Sequence, residues 1–157
     1  MLNKIILWVI FIGPWFSLFF IKREDIKRFM PAGLFATLLM LIYNVYAYNQ
    51  NHWVLHDVLF PSLRPLFVSG LFGAFPIVTI WILHFTYGKF WIYLLTNIVL
   101  DFMFAVFPLD YLLQDVLGIY ELVNITQWGR FIIFVIQSVI IYGYFKWQDR
   151  GKDPLSQ

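Results

Sequence analysis

Two polar residues four positions apart, Asn97 and Asp101, lie in an otherwise apolar segment and are the first candidates for chemistry. The surrounding sequence, TNIVLDFMF, has no basic residue within ten positions of Asp101 on either side. Residues four apart lie on one face of a helix, so both side chains are expected on the same side. If this segment crosses a membrane, its ionisable group suggests a proton or ion relay. The alternative is that Asp101 stays neutral, forms a hydrogen bond to a neighbouring helix and stabilises packing. Such a hydrogen bond contributes about 0.6 kcal/mol on average in membranes.

Asn44 and Gln137 are further amide side chains inside apolar segments. The helical rise of about 1.5 Å per residue predicts that Asn44 lies at the depth of Asp101 and that Gln137 lies at the depth of Asn97. Because lipid offers polar groups no partner, we expect these four residues to form a polar seam between helices. The amide of Asn44 is then expected within reach of Asp101.

His52, His56 and Asp57 form a second candidate site, in a polar segment between apolar stretches. On a helix, two histidines four apart share a face, so they could bind one metal ion, with Asp57 as a further ligand. The ligands that could complete the shell from another loop are Asp110, Asp115 and Glu121. Such a site needs three or more converging ligands, and the alternative is that these side chains face water. No other cofactor is predicted.

The composition indicates which elements must position these residues. The chain is 61% hydrophobic and only 13% charged, whereas soluble domains carry about 25% charged residues. A spanning helix needs about 20 mainly apolar residues, and five stretches qualify: 5–21, 31–48, 66–87, 90–109 and 131–147. We therefore predict an all-α polytopic membrane protein, with a single five-helix transmembrane domain over 1–148 and a short cytoplasmic tail over 149–157. Pro31 is expected to begin the second helix.

The segment between the fourth and fifth spans is too apolar for a loop in water. Its apolar residues recur at helical spacing, at Leu112, Leu113, Val116 and Leu117. The polar complement is Asp110, Gln114 and Asp115. This pattern predicts an interfacial helix on the outer surface of the membrane, with the acidic residues facing water.

The basic residues near the span ends predict the orientation, because cytoplasmic loops carry an excess of Lys and Arg. One side holds eight of them: Lys22, Arg23, Lys27, Arg28, Lys89, Lys146, Arg150 and Lys152. The other side holds three: Lys4, Arg64 and Arg130. The N-terminus is therefore predicted outside and the C-terminus in the cytoplasm.

A short charged turn follows the first span and contains four of these bases: Lys22, Arg23, Lys27 and Arg28. Contact with anionic lipid headgroups is the simplest interpretation, and a docking site for a protein partner is the alternative. The formal net charge of +2 is too small to favour nucleic acid as a partner. The expected partners are the lipid bilayer and, in addition, another membrane protein or a second copy of this chain.

The run GPWFSLFFIKREDIKRFMPAGLFATLL has a Pro-Trp pair, Pro14 and Trp15, ahead of the charged turn at 22–28, with Phe29 and Pro31 after it. It resembles the N-terminal region of an uncharacterised family of small multipass membrane proteins from spore-forming Gram-positive bacteria. The resemblance covers about a fifth of the chain. It implies a bacterial plasma membrane and implies no activity.

Three functional hypotheses follow from these features. The first is a non-enzymatic structural or partner-binding membrane subunit, because the chain has no P-loop, dinucleotide-binding fingerprint, HExxH or GxSxG motif. The second is a small transporter or an ion- or proton-conducting subunit that uses Asp101. The third is an outer-face metal-dependent enzyme that uses His52 and His56.

Overall fold

Five long helices hold most of the apolar sequence in the computed structural model, which describes residues 1–151. The helices are α1 Leu2–Ser17, α2 Arg23–Asn49, α3 Phe75–Thr86, α4 Phe90–Ala105, the short α5 Leu109–Tyr111, and α6 Gln127–Arg150. With their helical extensions, α1, α2, α3, α4 and α6 are long and apolar enough to cross a membrane. The predicted all-α class with five spanning helices is confirmed.

Helix α2 begins at Arg23 rather than at Pro31, so the expected start of this helix is wrong. Glu24 and Asp25 lie in its first turn, where negative side chains interact favourably with the helix dipole. Pro31 lies inside the helix, a position that membrane helices tolerate because neighbouring groups satisfy the carbonyl that the proline leaves free. Most of the charged turn is therefore the first part of a helix.

Helix α3 is preceded by a π-helical segment, Ser69–Ala74, that packs against α1. Gly73 makes this contact possible, since a Cβ atom there would lie 2.4 Å from the carbonyl oxygen of Ile10. Gly33 performs the same role between α2 and α3, where a Cβ atom would lie 2.9 Å from the carbonyl oxygen of Pro76. Small residues at these crossings let the backbones approach closely.

The largest apolar core lies among α2, α3, α4 and α6, and it includes Phe29, Ala36, Ile80, Leu83, Tyr93 and Phe145. Helix α1 stands at the edge of this bundle, with Leu7 as its one buried residue. The helix ends sort into two groups. We call the end formed by residues 50–68 and 106–126 the loop end, and the end formed by residues 18–28, 86–90 and 146–151 the basic end.

A two-stranded antiparallel sheet at the loop end joins the two connecting segments and was not predicted. Strand β1, Trp53–Leu55, pairs with β2, Tyr120–Leu122, in a register that sets Val54 opposite Glu121. Each strand has three residues, too few to give an alternating pattern that separates them from a loop. The sheet therefore depends on contacts between segments distant in sequence.

A helix is present in the segment predicted to form the outer helix, as α5 continued by a π-helical turn, Leu112–Val116. Its orientation differs from the expectation, because Asp110 is completely buried while Leu112 and Val116 are exposed. The expected outward position of Asp110 is therefore wrong. Asp110 points inward because it pairs with the buried Arg130, which is opposite to the orientation that the apolar pattern suggests.

Helix α6 continues to Arg150, beyond the predicted end of its span at residue 147. The first part of the predicted tail is thus helical. Residues 152–157, which include Lys152, lie outside the described residues. The predicted boundary between domain and tail stays a prediction.

Candidate functional site

Asp101 lies on α4 and lines a cavity of about 50 Å³ together with Asn97 of the same helix and Gln137 of α6. Oδ2 of Asp101 is buried and has no hydrogen-bond partner within residues 1–151. A water molecule needs about 10–15 Å³ of such space, so the cavity is large enough for a few waters or one small ion. Three of the four residues of the predicted seam therefore share one cavity.

The amide of Asn97 and the hydroxyl of Ser138, both beside this cavity, bond to their own helices. Asn97 donates from Nδ2 to the carbonyl of Tyr93 at 2.8 Å, and Ser138 donates to the carbonyl of Val135 at 2.7 Å. Beside the cavity, α4 and α6 are joined by Tyr93, whose hydroxyl donates to the carbonyl of Ser138 at 2.8 Å. This hydrogen bond between α4 and α6 does not involve Asp101.

Asn44 does not take part in the Asp101 cavity, and its expected proximity to Asp101 is not observed. Its Nδ2 donates to the carbonyl of Met40 at 2.8 Å, and its Oδ1 accepts from the backbone N–H of Phe67 at 3.1 Å. Asn44 thus stabilises the chain just before the π-helical segment. Equal depth in the membrane does not determine the direction in which a helix turns its side chains.

A buried ion pair between Asp110 and Arg130 lies at the loop end and was missed in the sequence. Asp110 is 0% exposed and Arg130 is 5% exposed. Arg130 donates to the carboxylate of Asp110 and, at 3.0 Å, to the carbonyl of Ala105 at the end of α4. Asp110 also accepts from the hydroxyl of Tyr120 and, at 2.6 Å, from Nε2 of Gln127. The cluster joins α4, α5, β2 and α6.

Tyr120 acts in this cluster as a neutral donor. Burial raises the pKa of Tyr120 above its usual range, and this effect outweighs the opposing charge of Arg130. A raised pKa keeps the hydroxyl protonated, which the bond to the Asp110 carboxylate requires. The signal available in the sequence was that an arginine at the start of an apolar helix requires a counter-ion, and Asp110 is an acid at the end of the preceding span.

A second cavity, of about 70 Å³, lies beside Arg130 and is lined in addition by Asn44, Trp53, Leu113 and Tyr120. The residues that line both cavities are Met40, Phe75, Phe104 and Phe134. The ring centroid of Phe75 lies 6.2 Å from that of Phe104 and 5.8 Å from that of Phe134. An apolar wall of four side chains therefore separates the Asp101 cavity from the Arg130 cavity.

The predicted metal site is not assembled. Residues 53–55 form a strand, so His52 and His56 do not share a helix face. Oδ2 of Asp57 accepts from Nδ2 of Asn3 at 2.6 Å, and Nε2 of His56 lies 3.6 Å from the carboxylate of Glu121. Across residues 1–151 no three His, Cys, Asp or Glu side chains converge as metal ligands. The helical spacing on which the metal hypothesis depends is wrong, because the segment between the two histidines is extended.

The four bases predicted to contact headgroups or a partner divide into two kinds. Arg28 is engaged within the chain: it donates from Nε and Nη2 to the carboxylate of Asp149, both at 2.9 Å, and its guanidinium lies 3.9 Å from the ring of Tyr87. Lys22, Arg23 and Lys27 are exposed at the basic end. Headgroup contact stays a prediction for those three.

Comparisons with known proteins give no match for this chain: no family model, no curated protein and no solved structure matches it.

Proposed function

We propose that this chain is a small membrane protein that takes up and releases a proton inside the membrane at Asp101, as an ion- or proton-handling subunit. The observation that carries the proposal is Oδ2 of Asp101, which is buried beside a cavity without a hydrogen-bond partner in the described part of the chain. A carboxyl group kept only for packing would bond a neighbouring helix. Acids inside membrane spans that face a cavity mark ion and proton pathways.

The polar side chains around Asp101 favour a titrating group over a packing contact. Asn97 is engaged with its own helix, and Asn44 is engaged with the segment before α3. Within residues 1–151 no cation pairs with Asp101, and Arg130 is paired with Asp110. The carboxyl group is therefore available to a proton or a small cation that enters the cavity.

In this proposal, the proton reaches Asp101 from the loop end. Four apolar side chains separate Asp101 from the Arg130 cavity, which reaches Trp53 and Leu55 of the loop-end sheet. Toward the basic end lies the main apolar core, with Phe29, Tyr142 and Phe145. Rotation of Phe104 or Phe134 would connect the two cavities, whereas the basic end would require a larger rearrangement.

Proton flux into liposomes tests the proposal. The purified chain is reconstituted with a pH-sensitive dye inside and a potassium diffusion potential as driving force. We expect flux above protein-free liposomes, reduced to the protein-free level by Asp101→Asn and largely retained by Asp101→Glu. The matched control is Asp115→Asn, an exposed acid at the loop end. Wild-type flux equal to that of protein-free liposomes would contradict the proposal, as would unchanged flux in Asp101→Asn.

The second candidate function is a non-enzymatic structural or partner-binding subunit. The observation that favours it is α1, which contributes one buried residue to the bundle and leaves Trp8, Val9 and Phe16 exposed. Such a surface suits lipid, another membrane protein or a second copy of this chain. Purification in mild detergent separates the two candidates: a stable complex, together with lower abundance of Asp101→Asn and no proton flux, would favour the subunit role.

The proposal also includes the membrane in which the protein lies and its orientation there. A bacterial plasma membrane is supported by the resemblance of residues 13–39 to small membrane proteins of spore-forming bacteria. A cytoplasmic basic end is supported by the excess of Lys and Arg there. This orientation would have the loop end face the outside, so that protons would reach Asp101 from outside the cell.

A further inference from the structure

We infer that the cavity beside Arg130 is a binding site for a small uncharged molecule with one hydrogen-bond-accepting oxygen on an apolar body, such as a ketone or an ether. This cavity is distinct from the Asp101 cavity, and ligand binding there would be a property separate from proton uptake at Asp101. Two observations carry the inference. The cavity has a volume of about 70 Å³, and Nε of Arg130, one of its lining residues, is buried without a partner in the described part of the chain.

The hydrogen-bonding groups of the lining identify what the ligand must offer. Asn44 uses both ends of its amide within the chain, and the hydroxyl of Tyr120 donates to Asp110. Arg130 donates from Nη2 to Asp110, to Ala105 and, at 3.4 Å, to the carbonyl of Phe104, whereas its buried Nε has no partner within residues 1–151. A guanidinium has donors and no acceptor. The ligand is therefore expected to accept one hydrogen bond and to donate none.

The charge balance of the cluster requires an uncharged ligand. Asp110 already compensates the positive charge of Arg130, and both side chains are almost completely buried. An anion would add an uncompensated negative charge to a low-dielectric site, which is costly. A carbonyl or ether oxygen satisfies Nε–H without changing the net charge.

The size and the lining restrict the rest of the ligand to a small apolar group. A cavity of about 150 Å³ accommodates benzene, so about half of that volume accommodates roughly three or four non-hydrogen atoms. The remaining wall is apolar and includes Leu55, Phe67, Leu113 and Phe134. The ligand is either a molecule of this size or the oxygen-bearing end of a longer lipid-soluble one.

Acetone labelled with ¹³C at the carbonyl is a probe with four non-hydrogen atoms. The full chain is placed in lipid nanodiscs, and carbon NMR compares it with nanodiscs that lack protein. We expect a saturable, shifted carbonyl resonance with one site per chain. Isobutene has the same shape with a CH₂ group in place of oxygen, and it is expected to compete about tenfold less well, because a hydrogen bond to a charged group contributes at least that factor.

Two variants locate the site. Leu113→Phe fills the cavity and is expected to abolish the shifted resonance, whereas Leu112→Phe adds the same ring at an exposed neighbouring position and is expected to leave it unchanged. Arg130→Lys retains a cation for Asp110 but removes Nε–H, and should weaken acetone binding about tenfold.

Three results would overturn the inference. The first is no saturable acetone signal in the wild-type chain. The second is equal binding of isobutene and acetone, a comparison that requires no variant and so does not depend on whether Leu113→Phe folds. The third is acetone binding to a folded Leu113→Phe chain with wild-type affinity. The proton flux of Asp101 does not enter any of these measurements, so the two proposals fail independently.

Discussion

At the scale of single residues, the chain contains acids in three different environments. Asp110 is buried and fully paired, Asp101 has a buried oxygen without a partner among residues 1–151, and Asp115 is exposed at the surface. These environments predict different consequences for the same chemical change. Replacement of an acid by its amide removes the charge and retains the shape, which makes Asp→Asn the informative substitution at each position.

Asp110→Asn is expected to lower the free energy of unfolding by about 3–5 kcal/mol, because removing one partner of a buried ion pair leaves the other charge uncompensated. Asp115→Asn serves as the control and is expected to change it by about 0.5 kcal/mol or less. Unfolding titrations in mixed detergent micelles measure both values. An Asp110→Asn variant as stable as Asp115→Asn would show that Arg130 finds other compensation.

The ion pair between Arg28 and Asp149 is expected to contribute much less than the buried pair. The side chain of Arg28 is 37% exposed, and exposed pairs contribute about 0.2–1 kcal/mol. A double-mutant cycle with Arg28→Ala and Asp149→Ala is expected to give a coupling energy in this range that decreases as salt is added. A coupling of several kcal/mol, independent of salt, would contradict this assignment.

At the scale of elements, two close helix crossings depend on glycine. The π-helical segment Ser69–Ala74 lies against α1 at Gly73, and α2 lies against α3 at Gly33. The neighbouring atoms at Gly73 are backbone atoms of Ile10 and Phe11, which cannot rotate away. The position of α1 therefore depends on a residue without a side chain.

Gly73→Ala is expected to destabilise the bundle by about 1–3 kcal/mol, since the added methyl group forces α1 to move. Gly143→Ala on α6 is the matched control, because an added Cβ atom there meets no atom within 4 Å. This control is expected to be neutral or to stabilise the protein by up to about 1 kcal/mol through helix propensity. Thermal unfolding in detergent measures both variants. Equal effects of the two would remove the argument for the close crossing.

At the scale of the whole molecule, the two ends of the bundle are predicted to face opposite sides of the membrane. The chain has no cysteine, so a single cysteine can report the side on which a residue lies. Ser62 is exposed at the loop end and Glu24 is exposed at the basic end. In intact cells, a membrane-impermeant maleimide is expected to label Ser62→Cys directly and Glu24→Cys only after permeabilisation. The reverse pattern would invert the proposed orientation.

Composition and hydropathy were sufficient for the class of the protein. The five spanning helices follow from apolar runs that only a lipid environment accommodates, and all five are present. These features depend on residues close in sequence, which is why the sequence contains them.

Hydrophobicity and spacing could not determine which polar groups meet. Rise along a helix predicts depth but not rotation about the axis, so Asn44 was expected beside Asp101 and instead bonds Phe67. Asp110 was expected in water because its neighbours formed an amphipathic pattern, yet it pairs with Arg130, twenty residues later. His52 and His56 were assigned a helical spacing, but a strand lies between them.

The sequence alone therefore determined the solvent of this protein, the number of its spans and the acid within them. The tertiary structure decided the partners: it paired Asp110 with Arg130 and left Oδ2 of Asp101 without a partner in the part of the chain that the structure describes. The physical reason is that burial in lipid is a property of a segment's own side chains, whereas a hydrogen bond between helices depends on the relative rotation of both.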